Sequence, residues 1–279
     1  MITSSYPRHA GDGAGSFVGS LAHALAARGV VVGVLAPWDP AIPPACQSEE
    51  DDVSPPRPGG TPQAAQDDPV DSGQLETPRS SNPVIVRRFR YAPTRGLHIA
   101  GHGRALNADT RLRWLAPLLM PAFVLGAVLA ALAWQRRERA AGAPFDIIHG
   151  HWAVPGGFIA SLVGWLTHTP VIISLHGSDV YLIRRNRIYR GASRWAFRRA
   201  ARSVACSRDL RQRALQAGLP SDTSGVIPYG VDAARYGQDR APAAWDLRER
   251  WGIPTDAPLI GALGRLVHKK GFAHLIAAL

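Results

Sequence analysis

The chain has 279 residues, room for one large domain or two small ones, and its 46% hydrophobic content with eight Trp supports a sizeable core. Thirty-two Lys+Arg against 21 Asp+Glu give a net charge of +11, a field that attracts phosphates. No basic stripe interleaved with aromatics occurs, so nucleic acid is not the expected partner. The two cysteines, Cys46 and Cys206, are not expected to pair, and the start, MITSSYPRHAGDG, lacks the charged-then-apolar order of a signal peptide.

Residues 1–6 read as the end of a strand and Pro7 to Gly15 as a glycine-rich loop. Phe17, Val18, Leu21, Leu25 and Ala26 then recur at helical spacing, with Gly29 closing the helix. Val30 to Ala36 is an apolar run of the kind buried on both faces. Residues 38–83 break this pattern. They are rich in Pro, Asp, Glu, Ser and Gln, and an acidic segment of this kind is expected to be a disordered insertion.

A strand resumes at Val84 to Phe89. Trp114 to Trp134 is 21 residues without a charge, flanked by Arg111, Arg113, Arg136 and Arg137. Its length suits a bilayer span, but Pro117, Pro121 and the basic residues at both ends favour a core or membrane-surface helix. From residue 145 onward, strands at 145–149, 171–176, 203–206 and 225–228 alternate with helices. Ser207 caps the helix that runs to Gln216. The rhythm predicts an α/β fold with a parallel doubly wound sheet. Residues 233–257 read as a connector, 259–263 as a new strand and 272–279 as a new helix.

In such sheets ligands bind beyond the carboxyl ends of the strands, and four segments sit there. Gly11, Gly13 and Gly15 precede a helix, where backbone N–H groups can approach a phosphate, although the dinucleotide fingerprint fails. His149, His151 and Trp152 follow a strand and suit a polar cleft wall. A metal pair is the weaker alternative, because no matching His/Asp/Glu set follows. His176 lies at a strand end, and Asp179 is placed to cap the next helix. Arg265 can grip phosphate oxygens through its forked donors, and Lys270, one of only two lysines, adds a point charge.

The order and spacing of these segments resemble those of family 4 glycosyltransferases. The likeness is carried by the glycine loop, by His176-Gly177-Ser178-Asp179, by Val226-Ile227-Pro228-Tyr229-Gly230-Val231-Asp232 and by Leu263-Gly264-Arg265-Leu266 through Lys270-Gly271-Phe272. The resemblance implies a GT-B fold: a Rossmann-like acceptor domain over 1–232, the connector, and the start of a donor domain over 258–279. It implies retaining transfer of a sugar from a nucleotide-diphosphate donor to a glycan or lipid-linked acceptor, without a metal or other cofactor, in the cytoplasm or at the inner face of the cell membrane on an anionic surface. His176 and Asp179 would be catalytic; Arg265, Lys270, Gly11, Gly13 and Gly15 would hold the donor diphosphate; His149, His151 and Trp152 would line the acceptor cleft.

Three departures stand against the family pattern. Tyr229 replaces its Asn, the first strand is short, and the paired glutamates of the donor domain are missing before Leu279. The chain is therefore expected to be an incomplete piece of a transferase, inert by itself. A non-catalytic acceptor-binding fragment and a metal-dependent hydrolase using His149, His151 and His176 are the alternatives.

Overall fold

The computed structural model describes residues 1–9, 11–43, 82–101, 116–230, 248–264 and 268–279. Two compact units result, Met1–Tyr229 and Gly230–Leu279.

The first unit contains strands β1 (Val32–Pro37), β2 (Val84–Phe89), β3 (Ile148–His151), β4 (Val171–Leu175), β5 (Arg202–Ala205) and β6 (Ser224–Val226). All pairings are parallel: β1 with β2, and β3-β4-β5-β6 in that order. The N-terminal residues join the two sets. Ile2 bridges in parallel to Leu35 on one side and to Gly150 on the other. The resulting order, β2-β1-N-terminus-β3-β4-β5-β6, is that of a doubly wound nucleotide-binding sheet.

Helices α1 (Ser16–Ala26), α2 (Ala116–Ala140), α3 (Phe158–Thr167), α4 (Ser178–Arg185), α5 (Arg187–Arg199) and α6 (Arg208–Gln216) accompany the strands. Strand β1 shows why its sequence is apolar throughout. Val32, Val34 and Ala36 join Val18, Ala22 and Ala26 of α1 in one cluster, whereas Leu35 joins the larger cluster that includes α2 and α3. Successive side chains point to opposite faces, and both faces are covered. Gly15 starts α1 with φ 70; a Cβ there would lie 2.2 Å from the Ser5 carbonyl oxygen, so only glycine fits. Asn186 and Ser207 cap α5 and α6 through their side chains, Asn186 accepting from Ile188 and Tyr189 and Ser207 from Leu210.

The apolar segment forms most of α2. Its Phe123, Ala127, Val128, Ala131 and Trp134 are buried in the core, a stripe at helical spacing. The ring of Trp134 fills the space above Gly33, where a Cβ would come within 2.7 Å of the indole. Its Nε1 donates to Glu138 at 2.8 Å, and Arg87 lies over its ring at 4.7 Å. Helix α2 thus has one packed face and one outward face, and Leu118–Ala140 is long and apolar enough to cross a membrane by length and composition.

Two expectations need correction. The insertion was expected to be disordered from residue 38, but Trp38, Asp39 and Ile42 are buried. Trp38 follows directly on β1, its amide bonded to Phe89 O, so the sheet edge extends past the last apolar run. Residues 44–81 lie outside the described residues. In the second unit, 259–263 form no strand. Leu259, Ile260 and Leu263 are exposed, and a strand needs a partner to pair with. That unit does form a turn at His268–Lys270 and a helix, α7 (Phe272–Ala277).

Trp134→Ala should lower the unfolding free energy by about 3–5 kcal/mol, because it removes a buried indole packed over Gly33 and against Phe145. Chemical denaturation followed by circular dichroism measures the loss.

Candidate functional site

Strand β3 runs two residues further than its apolar run, to His151, so His149 and His151 share one face of the strand instead of following it. Their rings stack 4.3 Å apart. His149 Nε2 pairs with Ser174 Oγ on β4 at 2.8 Å, and His151 Nδ1 pairs with His176 Nε2 at 3.0 Å. Nδ1 of His176 in turn meets the Tyr229 hydroxyl. The result is a continuous chain, His151–His176–Tyr229, across the carboxyl ends of β3, β4 and β6.

Aromatic rings enclose His176. Phe17 from the first turn of α1 lies 4.7 Å away, and Trp152 lies 4.9 Å away. Phe17 also touches Trp152 and Tyr229, at 5.6 and 5.3 Å. Trp152 has φ 65, a conformation that costs energy for a bulky residue and clusters at functional sites. It holds the indole against Phe17 and His176.

Burial dominates the electrostatics. It lowers the His149 pKa to about 4 and that of His176 to about 3, with the neighbouring imidazoles and the N-terminal amine adding in the same direction. His151, fully buried, is pushed well down for the same reasons. All three are neutral at pH 7. For Tyr229, burial and then Cys206, which also bonds to it, hold the phenol well above its usual range.

The tautomers follow. His151 Nε2 is buried without a partner among the described residues. An orphaned N–H is costlier than an orphaned acceptor, so the proton sits on Nδ1 and is donated to His176 Nε2. His176 then carries its own proton on Nδ1 and donates to the Tyr229 oxygen.

Asp179 is a brace. Its buried carboxylate accepts from the amides of Ala153 at 2.8 Å, Gly177 at 2.9 Å and His176 at 3.3 Å, tying the turns after β3 and β4 together. Burial raises its pKa against those donors. Its side chain presents no open face to a substrate, so a direct chemical part does not fit its place. His151 is likewise fully buried and underlies the cleft instead of lining it.

The glycine loop is tied by Arg8, which bonds Asp12 at 2.6 Å, while Asp12 accepts from the amides of Arg8 and Ala14. The Asp12 carboxyl is held well below its usual range, first by Arg8. No hydrogen bond from the amides of Gly13, Gly15, Ser16 or Phe17 is found among the described residues. The helix start therefore offers donors beside the aromatic cluster. Gly11 has φ 79 and lies in the same loop. Arg265 lies outside the described residues, and Lys270 is exposed in the second unit. Phe17, Ser174 and Tyr229 were not singled out as site residues from sequence; Phe17, an apolar residue directly after the glycine loop, was the available signal.

Residues 84–235, more than half of the chain, match Glycosyltransferase Family 4. The chain belongs to that family. It is 30% identical over 214 residues to the teichuronic acid biosynthesis glycosyltransferase candidate TuaC of Bacillus subtilis (strain 168), an alignment covering 70% of this chain and 52% of that protein. It is also 30% identical over 152 residues to the 2-deoxystreptamine glucosyltransferase of Streptomyces kanamyceticus, 48% of this chain and 38% of the relative. The chain thus spans about half the length, or less, of these relatives.

Among solved structures, Anabaena Alr3699/HepE in complex with UDP superposes with a TM-score of 0.55 at 19% identity, over 95% of this chain and 53% of that one. The sucrose-phosphate synthase of Thermosynechococcus elongatus gives 0.54 at 17% identity, over 94% and 53%. These likenesses establish the GT-B type of fold for this family 4 chain.

The pKa shifts set a pH dependence. An unfolded chain takes up protons on these histidines near pH 6.5, whereas the fold refuses them until about 4 and 3. Stability is therefore fully present above pH 6.5 and falls as pH drops towards 4. The buried Met1 amine, lowered to about 5, adds a loss of the same sign below pH 8. Thermal melts between pH 8 and 4 should show a falling midpoint, and imidazole NMR at pH 7 should show His149, His151 and His176 neutral, with His151 and His176 as Nδ1–H tautomers. A flat stability profile would count against the buried neutral cluster.

Proposed function

We propose that this family 4 chain serves the transfer of a sugar from a nucleoside-diphosphate donor to a glycan or lipid-linked acceptor, with retention of anomeric configuration and no metal. The observation that carries the reading is the placement of His176. It stands at the carboxyl end of β4, neutral, walled by Phe17, Trp152 and Tyr229, and close to the open amides at the start of α1. Aromatic faces suit the apolar C–H surface of a sugar, and open N–H groups at a helix start suit a diphosphate. The bound UDP of the Anabaena neighbour and the glucosyl transfer in the name of the Streptomyces relative are in keeping with this.

In this reading Gly11, Gly13 and Gly15 let the backbone approach the donor phosphates. Arg265 and Lys270 neutralise the departing diphosphate, where charge develops in the transition state. His176 contacts the transferred sugar, and its Nδ1–H becomes a donor to a hydroxyl when Tyr229 yields. Asp179, His149 and His151 act through His176: Asp179 fixes its backbone and His151 its ring. Trp152 walls the acceptor side. The net positive charge supports work in the cytoplasm against an anionic inner membrane surface.

The hydrolase alternative is less favoured by geometry. His151 and His176 are bonded to each other and His149 to Ser174, and no group of three or more ligating side chains converges among the described residues.

With the chain joined to a family 4 donor domain, and a panel of nucleoside-diphosphate sugars and glycan or polyprenyl-phosphate acceptors, His176→Ala should slow nucleoside diphosphate release by about a hundredfold or more. His151→Asn should cost less and shift the pH profile. Turnover that survives both His176→Ala and Arg265→Ala would place the chemistry elsewhere, and an inverted product anomer would refute retention.

A further inference from the structure

The outward face of α2 is apolar over four turns. Leu118, Pro121, Ala122, Leu125, Leu129 and Ala133 are exposed at helical spacing, with Leu118 at 75%, Leu125 at 59% and Leu129 at 58%. From Leu118 to Ala133 this stripe is ~22 Å long. Exposed apolar stripes of that extent mark an interaction surface. Beyond the stripe the same helix exposes Arg136, Arg137 and Arg139.

The end of α3 lies beside these arginines. Arg139 donates to Thr167 O at 3.3 Å, and Gln135 donates to Thr169 Oγ1 at 3.4 Å. Between the two helices is a groove of about 250 Å³, lined by Leu132, Gln135, Arg136, Arg139, Leu166 and Thr167. Gln135 is 5% exposed, and its Oε1 has no hydrogen-bond partner among the described residues. Trp165, also near the end of α3, is 57% exposed, with Arg199 over its ring at 5.6 Å.

We propose that α2 and the end of α3 form the docking face for an anionic lipid bilayer, with the groove taking the headgroup of one lipid. The proposal deepens, and rests on, the membrane-surface reading above. Leu118, Leu125 and Leu129 enter the acyl boundary, as the apolar side of an interfacial helix does. Arg136 and Arg139 bind the lipid phosphate, and Arg137 faces the surrounding anionic surface. Trp165 sits at headgroup level, where amphipathic rings collect. The two groove arginines suit the phosphate of an anionic lipid such as phosphatidylglycerol. The charge argues for a bilayer over a second copy of this chain, since two copies would bring like arginines together. A full span is not the reading, because the inner stripe of α2 is core.

Vesicle sedimentation tests it. The protein should pellet with phosphatidylglycerol-containing vesicles at low salt, less at high salt, and not with phosphatidylcholine alone. Leu125→Glu with Leu129→Glu should weaken binding at least tenfold. Arg136→Glu with Arg139→Glu should weaken it on the order of tenfold or more and remove most of the salt dependence. Circular dichroism and melting midpoints of both pairs should match the parent, since all four side chains face solvent. A parent that ignores phosphatidylglycerol vesicles at low salt would overturn both the membrane reading and this face. A parent that binds while both variant pairs bind equally well would overturn the face alone. Loss confined to the leucine pair would overturn the headgroup groove.

Discussion

The first unit depends on three residues at its N-terminus. The amide of Ile2 donates to His149 O at 2.7 Å, and its carbonyl accepts from His151 at 2.9 Å. On the other side Thr3 donates to Leu35 O and Leu35 donates to Met1 O, at 3.0 and 2.8 Å. The two parts of the sheet are joined through this short central ribbon. The same bonds position β3, whose last residues carry the imidazoles, so the order of the sheet and the geometry of the site rest on one set of contacts.

From that ribbon outward, each level supports the next. Burial on both faces makes β1 apolar and holds β3 in register. The register aligns His151 with Ser174, which places His149 against the Ser174 hydroxyl and His151 against His176. Burial also keeps the imidazoles neutral, which allows a directed chain of hydrogen bonds to form where three cations could not coexist. Asp179 then fixes the two turns that carry Trp152 and His176.

Much of this was legible in the sequence. Strand-helix alternation with unbroken apolar runs leaves few folds available, and the capping role of Ser207 follows from local stereochemistry. The end of β3 was not legible, because His149-Gly150-His151 lacks the apolar signal that marks the rest of the strand. Its burial comes from pairing with Ile2 on one side and β4 on the other. Tyr229 stood out only as a departure from a family pattern; its contact with His176 spans 53 residues and cannot be read from local sequence. Trp38, Asp39 and Ile42 were lost in an acidic, proline-rich composition, yet contacts with β2 and its surroundings bury them. Arg265 lies outside the described residues, and the second unit was legible only through its short motif.

The position of Tyr229 has a mechanical consequence. It is the last residue of the first unit, one peptide bond from the chain that leads to the second, and its ring stacks on His176 with an interplanar angle of 11°. With the two rings nearly parallel, a displacement of the Tyr229 side chain is felt directly at the imidazole, and the ring-current shift of the His176 protons reports the position of the phenol.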